Sequence, residues 1–73
     1  MFGVCVREAR LNAALSREGL RRRMKRYAET VPSLSAIRDL ENGKSEKPQE
    51  RFEKLYKTAL PDLVIVLNRN KQE

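Results

Sequence analysis

The chain of 73 residues has no histidine and no tryptophan, one cysteine (Cys5), two phenylalanines and two tyrosines. Each shortage excludes something. A single cysteine cannot form an internal disulfide, and without histidine it cannot complete a zinc-ligand set, so no metal is expected. Cys5 also has no base to activate it and reads as a small buried apolar residue. No glycine-rich phosphate loop is present, and no carboxylate pair stands on one apolar face, so neither catalysis nor a cofactor is expected. The longest apolar run is Leu63, Val64, Ile65, Val66 and Leu67, far short of the ~20 residues that span a bilayer. Residues 1–6 are too short for the apolar core of a secretory signal. These shortages suit a reducing, cytoplasmic setting and no membrane partner.

Positive charge is plentiful. Lys plus Arg number 16 against 10 Asp plus Glu, a net +6, which favours a polyanionic partner. The charge is also unevenly spread. Residues 17–26 hold six cations (Arg17, Arg21, Arg22, Arg23, Lys25 and Arg26), with like-charge i,i+4 pairs that weaken an isolated helix.

Periodicity gives four or five short helices. Residues 4–15 form the first, with Val4, Leu11 and Leu15 on one side. Ser16 is a good N-cap for the second, which carries Leu20, Met24 and Tyr27 on one line. Val31-Pro32 breaks the pattern, because the residue before proline is pushed toward extended geometry. Ser33 caps a third helix over 34–41 with Ile37 and Leu40 inward. Asn42-Gly43 ends it, since glycine takes the left-handed conformation at little cost. After a loop over 44–50, Pro48 suits the first turn of a fourth helix with Phe52, Leu55, Tyr56 and Ala59 inward. Glu50–Lys54 and Glu53–Lys57 balance its charge. Residues 63–67 leave two possibilities: the Pro61-Asp62 start favours a helix, and the β-branched Val64-Ile65-Val66 favours a strand. The expected organisation is one domain over residues 1–67 and a flexible tail over 68–73.

The segments LSREGLRRRM, LSAIRDLENGKSEKP and FEKLYKTAL together resemble the phage-repressor-like helix-turn-helix family, the Xre or Cro type. The resemblance covers roughly residues 6–60, and its most specific piece is LENGK. It implies an all-α, lambda-repressor-like bundle that binds double-stranded DNA as a small repressor or autoregulator of phage or plasmid type. One departure stands out: the stretch from Met24 to Ile37 is about six residues longer than the family's. Either the second helix runs on to about Ala28, or the extra residues form a loop.

The resemblance implies that the third helix reads the major groove through Leu34, Ser35, Arg38 and Asp39. It implies phosphate contacts from Arg17, Asn42, Gly43 and Lys44, with the backbone amides of the Asn42–Gly43–Lys44 turn lying along the sugar-phosphate strand, and Arg21, Ser33 and Lys47 are expected to add to them. It also implies an ion pair between Arg10 and Glu41 that ties the first helix to the third. Residues 63–67 are expected to bury an uncovered apolar side against a second copy of the chain. Two other readings of the same sequence are a protein-interaction or antitoxin-like module on this fold, and an RNA binder using the arginine-rich second helix.

Overall fold

In the computed structural model, which describes residues 2–45 and 47–71, the chain is all-helical. Among these residues the order is α1 (Phe2–Asn12), α2 (Arg17–Met24), α3 (Leu34–Glu41), α4 (Glu50–Ala59) and α5 (Leu63–Lys71). Helix α1 packs on α3 and α5, α2 packs on α3 and α4, and α4 closes against α5. One core sits between them, built around Val6, Leu20, Met24, Ile37, Tyr56, Leu60 and Leu63.

The inner face of α1 differs from the expected one. Val4 and Leu11 are exposed, while Cys5, Val6 and Ala9 are buried, and Leu15 packs only partly against the core. The reason is close approach. A Cβ on Gly3 would fall 1.7 Å from the carbonyl oxygen of Leu40, so α1 and α3 touch backbone to backbone. Small side chains win the inner face where helices come that near. Helix α1 then ends in a Schellman turn: Ala14 N donates to Leu11 O at 3.0 Å, and Leu15 N donates to Arg10 O at 3.1 Å. The left-handed position is filled by Ala14, at φ 57°.

Helix α2 starts as the sequence predicts, with Ser16 Oγ accepting from Gly19 N at 3.0 Å. It stops at Met24, so the extra residues do not extend it. Three-residue hydrogen bonds from Arg26 to Arg23 and from Tyr27 to Met24 tighten the chain into a turn. Tyr27 leaves the Leu20–Met24 line and is 57% exposed. The connection then runs through a buried Pro32. Arg21 Nε donates to the Pro32 carbonyl at 3.0 Å, which holds the connection against α2.

Ser33 Oγ accepts from Ala36 N at 3.1 Å, and Ile37 and Leu40 point inward from α3. Pro48 lies one residue before the N-cap position, Gln49, rather than in the first turn of α4. Glu46, in the expected loop, lies outside the described residues. Helix α4 buries Leu55, Tyr56 and Ala59, with Phe52 half-covered.

The last segment is a helix. Leu63 and Val66 enter the core with helical spacing, and Val66 N donates to Asp62 O at 3.0 Å. Helix α5 also runs to Lys71, past the point where the tail was expected to begin. Asn70 Nδ2 donates to Val66 O at 2.8 Å and to Cys5 Sγ at 3.4 Å, and Arg69 reaches Glu8 at 3.5 Å. These polar contacts hold the end of the helix on α1. Gln72 and Glu73, the rest of that expected tail, lie outside the described residues. No helix is long and apolar enough to cross a membrane among the described residues.

Candidate nucleic-acid interface

Three helices meet at one carboxylate. Arg10 of α1 grips Glu41 with a two-pronged bond, Nε to Oε2 at 2.8 Å and Nη2 to Oε1 at 2.9 Å. Its third nitrogen, Nη1, donates to the Leu15 carbonyl at 2.9 Å in the α1–α2 connection. Arg17, the first residue of α2, adds Nε to Oε1 at 3.2 Å. The Glu41 side chain is fully buried. Two guanidinium groups and three hydrogen bonds compensate a charge that would otherwise be costly to bury. The last turn of α3 is thereby fixed to α1 and α2 at once. The sequence offers no sign that Arg17 is a second partner of Glu41.

With Glu41, Ile37 and Leu40 inward, α3 turns Leu34, Ser35 and Arg38 outward. These three side chains and Arg17 line one groove of about 660 Å³, together with Ser16 and Glu18 from the start of α2. Asp39 lies beside it, with Oδ1 3.7 Å from Arg38 Nε in a loose ion pair. Glu18 is a member of this groove that sequence reasoning misses. It sits in the first turn of α2, where an acidic residue complements the helix dipole, and that role hides any other.

The expected phosphate contacts divide. Arg17 keeps two guanidinium nitrogens clear of its bond to Glu41, and its side chain is 36% exposed. Arg21 is turned toward the Pro32 carbonyl, and Lys47 pairs with Glu53 at 3.3 Å. The hydrogen bond from Lys57, helped by Lys47, holds the Glu53 carboxyl below its usual range. Ser33 is exposed, and its oxygen serves as the helix cap.

The backbone amides of the Asn42–Gly43–Lys44 turn all have acceptors within the chain. Asn42 N donates to Arg38 O at 2.9 Å, Gly43 N to Leu40 O at 3.2 Å and Lys44 N to Asp39 O at 2.9 Å. All three amides therefore close the end of α3. Gly43 takes φ 81° to make this turn. What remains for a ligand here is the exposed Asn42 and Lys44 side chains.

The expected self-association segment is likewise divided. Leu63 and Val66 are buried within the chain's own core, and Leu67 packs partly against it. Only Val64 and Ile65 face outward, Ile65 at 62% exposure. Among the described residues no group of three or more Cys, His, Asp or Glu could hold a metal ion. Burial, with Glu8 nearby, pushes the Cys5 thiol pKa up, which keeps it protonated.

Compared with known proteins, the chain matches no family model, no curated protein and no solved structure.

Proposed function

We propose that the chain is a sequence-specific regulator of transcription that binds double-stranded DNA through a helix-turn-helix, with α3 as the reading helix. It resembles the small repressors and autoregulators of phage and plasmid type and performs no catalysis. The observation that carries this reading is the groove shared by Arg17, Leu34, Ser35 and Arg38 at the mouth of α2 and α3. A helix offered to a major groove needs its inner face anchored and its outer face free. Ile37, Leu40 and the buried Glu41 anchor α3, and Leu34, Ser35 and Arg38 stand free. Arg38 suits guanine O6 and N7, Ser35 suits several base edges, and Leu34 suits a thymine methyl. Asp39 can accept from cytosine N4, and its pairing with Arg38 offsets the repulsion from nearby phosphates.

The test is a gel-shift series. Duplex fragments flanking the chain's own gene, unrelated duplex and double-stranded RNA are each titrated with protein at one salt concentration. The reading requires at least one flanking duplex to bind ahead of the others. Equal affinity for all three, or none for any, contradicts it.

A further inference from the structure

We propose that Arg22, Lys25 and Arg26 form a second phosphate-binding track that carries the DNA backbone beyond the α3 groove. This rests on the proposed function and extends its site.

Three of the six cations in residues 17–26 already hold the fold together. Arg17 bonds Glu41, Arg21 bonds the Pro32 carbonyl, and Arg23 Nη1 donates to the Ala59 carbonyl at 3.2 Å, closing the end of α4. Arg22, Lys25 and Arg26 have no such task. Arg22, Lys25 and Arg26 are all exposed, and among the described residues no carboxylate lies within ion-pair distance of them. On α4 and the loop before it, by contrast, Lys47, Lys54 and Lys57 each face a glutamate. Arg22 stands in the last turn of α2, Lys25 is its C-cap and Arg26 follows it, so three unpaired like charges repel one another across one short stretch. A polyanion laid across them would remove that repulsion.

Their placement gives the track a direction. Arg22 and Lys25 line a hollow of about 260 Å³ with Leu34 at its far wall. Leu34 and Glu18 belong to both this hollow and the α3 groove, so the two are continuous. On its other side Arg22 joins Arg26 in a further hollow. The path therefore runs from Arg38 past Leu34 to Arg22 and on to Arg26. Glu18 is the only acid lining it among the described residues. Unpaired arginines and a lysine along an open path match a phosphate backbone.

The experiment measures affinity for the preferred duplex, a scrambled duplex and a single-stranded RNA as salt is raised. The variants are the triple Arg22→Gln, Lys25→Gln, Arg26→Gln; the charge-keeping triple Arg22→Lys, Lys25→Arg, Arg26→Lys; and Arg38→Ala. The neutral triple should bind both duplexes more weakly and keep the preference between them. Its salt slope should flatten by about 0.9 for each phosphate that the variant no longer neutralises. The charge-keeping triple should match the wild type. An unchanged slope in the neutral triple, with Arg38→Ala still relaxing the preference, overturns the track and leaves the proposed function standing. A flattened slope in a protein that shows no preference to begin with supports the track as a polyanion surface and sinks base reading by α3. If the wild type binds the RNA ahead of either duplex and the neutral triple abolishes only that, the track serves RNA and the proposal is wrong.

Discussion

Among the described residues Ala14 and Gly43 have positive φ, at 57° and 81°, and each ends a helix. An L-residue in that region costs about 1–2 kcal/mol, and glycine does not. Ala14→Gly should therefore stabilise the fold by about 1 kcal/mol, once the extra freedom of glycine in the unfolded chain is subtracted. Gly43→Ala should destabilise by about the same amount from the backbone alone, because a Cβ there meets nothing within 4 Å. Urea denaturation of the two variants checks both signs. Glu41 carries a larger prediction. Glu41→Ala leaves Arg10 buried without its partner and should destabilise by about 3–5 kcal/mol, with a smaller loss for Arg17→Ala, whose side chain reaches water. Tyr56 makes stability depend on alkaline pH. Burial, and then the charge of Glu41, raises its pKa well above the ordinary tyrosine range. The unfolded chain releases that proton from about pH 10 while the folded chain keeps it, so stability present below pH 10 falls as pH rises further. Thermal melts across that range should show a decline that is shallower in Tyr56→Phe. An equal decline in both would place its cause elsewhere.

At the scale of elements, the sequence is most legible where a cap and a large apolar stripe agree. Ser16, Ser33 and Gly43 mark real helix ends, and Leu20, Met24, Ile37, Leu40, Leu55 and Tyr56 all lie inward. It is least legible where contact distance, not hydrophobicity, chooses the inner face. Nothing in the pattern of α1 says that Gly3 lies against Leu40, so Val4 and Leu11 look better core residues than Ala9, although Cys5 is buried as its chemistry suggests. The end of α2 is hidden for a related reason. Tyr27 continues the apolar line, but the Arg21 bond to the Pro32 carbonyl rewards a chain that turns early. The Arg10–Glu41 contact is legible only through resemblance, because no local rule links residues so far apart. The spent amides of the Asn42–Lys44 turn are not legible at all, since a Schellman turn and an open turn share the same Asn-Gly signature. For α3, Arg38→Ala should cost about 1–3 kcal/mol on the preferred site and relax the preference at one base pair. Competition binding with single-base variants of that site reads this directly, and an equal loss on random DNA would make Arg38 a phosphate contact only.

On the whole-molecule scale, one copy offers α3, eight residues long, as the proposed reading helix. We expect two copies to bind a palindrome, because a single half-site rarely gives an affinity of about 10⁻⁸ M. The exposed Val64 and Ile65 are the part of residues 63–67 that can serve such an interface, since Leu63 and Val66 close the core. Sedimentation of the wild type should show self-association that Ile65→Asp weakens without lowering thermal stability. A wild type that stays monomeric, free and on DNA, would refute this. Base reading by α3 would show itself in the specificity ratio. A duplex selected from a random library is compared with its scrambled sequence at physiological salt, for wild type and Arg38→Ala. The account predicts that the wild type binds the selected duplex at least about 10³-fold more tightly, and that Arg38→Ala loses much of that ratio while keeping its affinity for the scrambled duplex. Equal affinity of the wild type for the two duplexes would contradict it.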